Sequence, residues 1–415
     1  MTEILFLAHR IPYPPTKGDK IRSWNLLKHL AERHTVHLGT FIDAPEDWQH
    51  TAALERICAE TCFRPLQRRT ALLRSAQGLF RRSALSMPYF SDAALGRWVR
   101  DLGRRRALAG VFAFSSPMAD HAASVSLAPC GRRVVDFCDV DSDKWRQYAA
   151  MHGWPLSWVY KRESRLLEGL ERHHAQTFDA TLVVTEAEAE LLRDIAPEAR
   201  DRIRVVGNGV DTVYFDPVAA GSNPFPPESR PLVFTGAMDY FANVDAVTWF
   251  AHEVFPAVRA QVAQAEFAIV GSNPSPDVRV LGRRPGVMVT GTVPDIRPYL
   301  AHAALVVAPL RIARGVQNKV LEALAMARPV VATQNAVQGI SGVSLAGIDI
   351  AADAAEMTAA ICRRLATGAG SRSEARAFVV DRYGWNTQLR VLDELFPAAG
   401  AFVGMRENRT IGSVA

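Results

Sequence analysis

Short apolar runs alternate with stretches of helical periodicity along both halves of this 415-residue chain, and few folds accommodate that alternation. In the first half EILFLA, TVHLGTF, GVFAF, RVVDF and ATLVV read as strands. Between them, IRSWNLLKHLAERH gathers Ile21, Leu26, Leu27 and Leu30 on one helical face, and WVYKRESRLLEGLERHHAQTF reads as a longer, charged helix. In the second half PLVFTG, AEFAIVG, VMVTG, ALVVAPL and PVVAT are strands, and DAVTWFAHEVFPAVRAQV, RPYLAHA and NKVLEALAM are helices. SEARAFVVDRYGWNTQLRVLDELF closes the series as a last helix. The Pro-, Gly- and Ser-rich segment DTVYFDPVAAGSNPFPPESRP separates the halves. The pattern predicts an α/β chain of two Rossmann-like domains with parallel sheets, facing each other across a cleft. In such sheets ligands bind beyond the carboxyl ends of the strands.

The length suits two hydrophobic cores, and no apolar run approaches the roughly 18 residues that span a bilayer. ILFLA lacks the flanks of a signal peptide, so a cytoplasmic protein is expected, with contact at the inner face of the membrane as an added option. The five cysteines have no metal spacing and read as reduced thiols, with Cys58 and Cys62 placed on one helix. Residues 1–208 carry 30 basic and 25 acidic side chains, whereas residues 209–415 carry 18 of each. Between Arg64 and Arg106 eleven arginines stand against two aspartates. Such a basic face suits an anionic membrane surface or a phosphate-bearing acceptor, or is simply a solvated helical face. No nucleic-acid-binding motif accompanies it, so nucleic acid is not an expected partner.

The strongest chemical signal is ALVVAPLRIARGVQNKVLEALAMARPVVAT. A buried strand runs into a loop with Arg311, Arg314 and Gly315, and a helix starts near Asn318. Unpaired N–H groups at that helix start, with Gly315 permitting close approach, offer a seat for a diphosphate. Lys319 adds a point charge, and Glu322, one turn on, is able to accept two hydrogen bonds from a ribose diol. An intrahelical ion pair between Lys319 and Glu322 is the other reading. In the first half the loop FLAHRIPYPPTKGDKIRS places His9 at a strand end and sets Gly18 among Lys17, Lys20 and Arg22. These groups are candidates for phosphate on donor or acceptor, or belong to a solvated Pro-rich loop. Beyond RVVDF, Asp139 and Asp141 are candidates for binding hydroxyls or taking a proton, or cap the helix that follows.

RGVQNKVLEALAMARPVVAT resembles the donor-site signature of glycosyltransferase family 4, and RIRVVGNGVDTVYFDP resembles that family's hinge at Asn208, Gly209, Val210, Asp211, Phe215 and Pro217. VTGTVPDIRPYLAHAALVVAPL is similar to the stretch whose backbone holds the base, at Gly291, Thr292 and Val293. More narrowly, LAHRIPYPPTKGDKIR, DVDSDKW and LRIARGVQNKVLEA resemble the exosortase-associated (PEP-CTERM) sugar transferases of exopolysaccharide clusters.

The resemblance implies the GT-B fold. It implies an acceptor-side domain over 1–208 joined by a returning helix at 385–397, a hinge at 209–229, a nucleotide-sugar domain at 230–384 and a flexible tail at 398–415. It implies retaining transfer of a sugar from a nucleotide diphosphate to a growing, polyprenyl-linked saccharide, with no metal or other cofactor. Gly18, Gly236, Gly291, Thr292, Val293, Arg311, Gly315, Asn318, Lys319 and Glu322 then face the donor. His9, Lys17, Lys20 and Arg22 face the acceptor, and Asp139, Asp141, Arg314 and Lys319 serve catalysis.

Two departures stand out. Arg314 occupies the place of the family's first Glu, and GAMDYFANVD offers no basic residue where the family neutralises diphosphate, so Lys319 and Arg314 are expected to take over that duty, with Arg311 in reserve. A sugar-nucleotide epimerase on the same plan and a non-catalytic nucleotide-sugar or glycan-binding scaffold are the rival readings.

Overall fold

A computed structural model describes residues 1–15, 18–67, 69–72, 74–75, 83–219, 221–313, 315–342, 347–367 and 373–398. It divides into two compact units, one formed by Met1–Val206 with the chain from Leu389 onward, the other by Gly207–Gln388.

The first unit is built on seven strands, β1 (Glu3–Ala8), β2 (Thr35–Ile42), β3 (Glu60–Pro65), β4 (Leu108–Phe114), β5 (Arg132–Cys138), β6 (Ala180–Val183) and β7 (Ile203–Val205). Every pairing is parallel and the order is β3-β2-β1-β4-β5-β6-β7. The order reverses between β1 and β4, which opens a crevice at their carboxyl ends. Central strands buried on both faces read as continuous apolar runs, and β1 follows that rule with Ile4 to Ala8 fully buried.

The second unit holds β8 (Arg230–Thr235), β9 (Ala265–Val270), β10 (Val287–Gly291), β11 (Leu305–Ala308), β12 (Val330–Thr333) and β13 (Asp349–Ala351). Its order, β10-β9-β8-β11-β12-β13, is the doubly wound one with the reversal between β8 and β11. Leu232, Val233, Phe234, Phe267, Ile269, Val306 and Val307 form the centre of its core.

Several sequence expectations change. Cys62 lies in β3, a strand of half-buried residues, and not on a helix with Cys58. The strands β7 and β13 were not anticipated. The last helix is three pieces, Ser373–Tyr383, Trp385–Gln388 and Arg390–Leu395, interrupted at Gly384, which bridges Val210. The segment read as a hinge packs on the second unit: the Val210 N–H donates to the Tyr383 carbonyl at 2.8 Å, and Phe215 and Phe225 enter the core. The guanidinium of Arg376 ties this segment down through the Thr212 and Phe215 carbonyls. Residues 399–415 of the anticipated tail lie outside the described residues.

Candidate functional site

At the reversal in the second unit, β11 ends at Ala308 and the helix Asn318–Ala325 begins after a loop. Among the described residues, the N-cap residue Gln317 makes no side-chain capping bond, and the first N–H groups and the positive end of the dipole lie at the crevice end of this helix. Gly315 sits in this loop with φ of 62°, a left-handed conformation that disfavours other residues. Gly339 presses on it from behind: a Cβ on Gly339 would stand 2.5 Å from the Gly315 carbonyl carbon and oxygen. A similar approach joins the ends of β8 and β9, where a Cβ on Gly271 would lie 1.7 Å from the Gly236 carbonyl oxygen. A Cβ on Gly315 itself would meet nothing within 4 Å, so this side of the loop is open.

The charged groups follow from these elements. Lys319, half-buried in the first turn, donates through Nζ to Asn243 Oδ1 at 2.9 Å, and its ammonium lies 5.0 Å from the Phe234 ring centroid. Asn243 belongs to the helix Phe241–Trp249, which follows β8, and its amide donates in turn to the Ala237 carbonyl at 2.9 Å. The ammonium's hydrogen bond thus goes across the crevice to Asn243 and not along the helix to Glu322. Burial pushes the Lys319 ammonium down to about 8, against the pull of the Glu322 charge. Burial pushes the Glu322 carboxyl up to about 7, with Lys319 opposing. A carboxylate and an ammonium are therefore held one turn apart in a place that disfavours both charges, a poised arrangement that a charged, hydroxyl-bearing ligand would satisfy.

The other expected donor residues have varied surroundings. Arg311 makes a paired contact with Asp245, one bond of which is Nε to Oδ2 at 3.0 Å, so its charge is already engaged. Gly291 has φ of 70°, and Thr292 and Val293 follow it at the end of β10. Asn318 opens the helix and Gly236 directly follows β8. Arg314 lies outside the described residues. Asn243, Gly271 and Gly339 were missed by sequence reasoning, because each acts on a partner distant in the chain.

The crevice of the first unit gathers His9 after β1, Ser115 and Ser116 after β4, and Asp139 and Asp141 after β5. The His9 ring stacks on Phe114 with centroids 5.6 Å apart, and its Nε2 lies 3.7 Å from Asp19. Burial holds His9 down at about 4, with Asp19 opposing, so the ring is neutral at ordinary pH. Asp141 accepts from Ser116 Oγ at 3.0 Å, and burial raises its carboxyl above the usual range. Asp139 is exposed. Ser115 and Cys138 both hold left-handed backbone, with φ of 77° and 65°, at the rim of this crevice.

Gly18 opens the helix Gly18–Ala31 and is exposed. Lys20 and Arg22 are buried: Lys20 Nζ pairs with Asp47 at 2.7 Å, and Arg22 Nε pairs with Asp136 at 2.8 Å. These bonds anchor the helix to its neighbours, so both charges are engaged inside the first unit. Lys17 lies outside the described residues. Of the basic stretch, Arg64 pairs with Asp92, and Arg105 and Arg106 with Glu60. Among the described residues, no helix is long and apolar enough to cross a membrane.

Residues 229–367 match the family model of Glycosyl transferases group 1. Over that stretch, a third of the chain, the second unit is similar to a group 1 glycosyltransferase domain. That domain contains the crevice with Lys319 and Glu322, and the chain is accordingly a transferase enzyme. No curated protein matches the chain by sequence. Among solved structures, the glycosyltransferase is similar to sucrose-phosphate synthase from Thermosynechococcus elongatus, with 17% identity and a TM-score of 0.67 over 95% of this chain and 98% of that one. It is also similar to WaaG, a glycosyltransferase of lipopolysaccharide biosynthesis (16% identity, TM-score 0.63, 96% and 100% covered). HepE of Anabaena, solved with UDP-glucose, gives 15% identity and a TM-score of 0.60, with 95% and 99% covered. These likenesses give the fold, GT-B, with its two Rossmann-like domains.

Proposed function

We propose that this glycosyltransferase moves a sugar from a nucleotide diphosphate to a hydroxyl of a growing, polyprenyl-linked saccharide, with retention at the anomeric carbon, in the synthesis of an exopolysaccharide or other surface glycan. The observation that carries the reading is the placement of Lys319 and Glu322, one turn apart at a helix start beside Gly315. A diphosphate against the helix start meets N–H donors and the Lys319 ammonium, and the ribose diol meets the Glu322 carboxylate. The neighbour HepE, solved with UDP and with UDP-glucose, makes a uridine donor the first to try.

The residues then divide the work. The bond from sugar C1 to the diphosphate oxygen breaks, and its electron pair leaves on that oxygen. Lys319, Arg314 and the helix dipole stabilise the charge gathering there, the largest electrostatic demand of the step, without a metal. The acceptor oxygen bonds to C1 on the face the diphosphate leaves, and its proton passes to a base, for which Asp141 is the candidate that the first unit offers. Burial already raises the proton affinity of Asp141, whereas exposed Asp139 is left to bind hydroxyls. Neutral His9 is suited to accept or donate hydrogen bonds at the acceptor side.

The test is transfer from each nucleotide sugar to a saccharide primer, with the product's anomeric configuration read by NMR. An α-linked donor giving an α-linked product supports the reading. Inversion, epimerised donor without acceptor, or no turnover with any donor contradicts it. An Arg314→Glu variant with full turnover and unchanged nucleotide affinity would remove Arg314 from the diphosphate site.

A further inference from the structure

The first unit carries an exposed apolar surface that the site has no use for. The helices Asp141–Met151 and Leu156–Thr177 pack on each other and are joined by residues 152–155. At this tip Trp154 is 85% exposed, Met151 78% and Trp158 58%, with Leu156 and Tyr148 also exposed. Behind them Trp145, Tyr148, Tyr160 and His152 form a ring cluster with centroids 5.2 to 6.2 Å apart. Three of the chain's eight tryptophans fall within 145–158. Large apolar side chains grouped this closely in water mark a docking surface.

The charge around the tip says what it meets. Residues 144–166 hold Lys144, Lys161, Arg162 and Arg165, beside Arg146 whose charge Asp143 engages, against one acid, Glu163, which is fully buried. Trp158, Lys161, Arg162, Arg165 and Leu166 line a groove of about 350 Å³. A surface with Trp and Tyr at its tip and cations behind them matches a bilayer's own layering. Aromatic rings favour the boundary between headgroups and acyl chains, while Lys and Arg meet anionic headgroups. The stretch Arg64–Arg106 makes a weaker case, since Arg64, Arg105 and Arg106 are paired with acids of their own unit.

We infer that the helical tip around Trp154 and Trp158 docks this protein on an anionic lipid surface. Docking there would hold the first unit where a lipid-linked acceptor is found, so the inference deepens the function proposed above and rests on its lipid-linked acceptor for its purpose. Its physical content does not depend on turnover.

The experiment is co-sedimentation of the full chain with phosphatidylcholine vesicles, with and without phosphatidylglycerol. Wild type, Trp154→Ser/Trp158→Ser and Lys161→Glu/Arg165→Glu are compared. Wild type should sediment with the anionic vesicles, stay in solution with the neutral ones, and be released by salt. Each double variant should bind at least about tenfold more weakly, given the contribution of each cation near such a surface. Unchanged melting temperature and unchanged stabilisation by nucleotide would show that the variants are folded and that the donor site is intact, which separates failure here from failure of the transferase reading. Wild type that ignores anionic vesicles overturns the inference, as does full binding by both variants. Sedimentation velocity showing a wild-type dimer that the tryptophan variant abolishes would also overturn it, by assigning the tip to a second copy of the chain.

Discussion

Lys319 Nζ donates to Asn243 Oδ1 at 2.9 Å, joining the helix after β11 to the helix after β8 across the reversal of strand order. The segment after β8 has no basic residue, so Asn243 supplies that side of the crevice with an aimed amide in place of a charge. Asn243→Ala should weaken nucleoside diphosphate binding about tenfold by releasing the ammonium from its position. Asn243→Asp should weaken it further, on the order of a hundredfold, because a carboxylate would face the incoming phosphates. Calorimetric titration of both variants checks the order, and equal losses would argue against an electrostatic role.

Protonation gives an independent handle on the same lysine. Burial pushes Lys319 down to about 8, so above that pH much of the population is neutral. A bound diphosphate favours the charged ammonium, so binding above pH about 8 should take up protons. Calorimetry in buffers of different ionisation heat reads this uptake directly. Lys319→Arg, charged throughout, should abolish it. Uptake that persists in the variant would assign the proton to another group.

The Gly315 loop is held by close backbone approach as well as by Thr333 and Asn335, whose side chains donate to the Leu310 and Arg311 carbonyls. Gly339→Ala would place a Cβ 2.5 Å from the Gly315 carbonyl group, and Gly271→Ala one 1.7 Å from the Gly236 oxygen. Each should cost about 1–3 kcal/mol of stability. Gly339→Ala should also lose nucleotide binding, because the loop it displaces leads into the diphosphate seat. Circular dichroism melts with nucleotide titrations separate the two effects.

These contacts also mark how far the sequence could be read. Both sheets were legible wherever strands are buried on two faces, as in EILFLA and ALVVAPL, since burial leaves a continuous apolar run. The strand β3 was not, because ETCFRP is half-buried and mixes polar with apolar residues. The strands β7 and β13 are three residues each, too short for a periodic signal. In the site, Gly315, Lys319 and Glu322 lie within one local motif and could be found by spacing alone. The engagement of Arg22 by Asp136, 114 residues away, could not, nor could that of Lys319 by Asn243, 76 residues away. Sequence spacing carries local geometry only; tertiary partners decide which charges remain available.

The helical hairpin behind the first crevice adds a stability prediction. Glu171 is buried and accepts from the Ser142 N–H at 3.0 Å and from the Ser142 hydroxyl. Burial pushes its carboxyl up to about 8, against those donors. A raised carboxyl favours the protonated form in the folded state. Its contribution is therefore fully present below about 4.5 and is lost as pH rises towards about 8. Glu171→Gln should stabilise the protein near neutral pH by roughly 1 to 3 kcal/mol, with the gain vanishing in acid. Denaturant melts across that pH range provide the check, and a pH-independent difference would contradict the account.

The central claim is that Lys319 and Glu322 hold a nucleoside diphosphate. It is tested most directly by thermal stabilisation with UDP, GDP, ADP and their sugar conjugates, in wild type and in Glu322→Ala. At a ligand concentration about a hundredfold above its dissociation constant, one diphosphate should stabilise wild type by about 3 kcal/mol. The variant should lose most of that shift, with the ribose contact gone. No shift with any nucleotide, or the same shift in both proteins, would contradict the donor site described here.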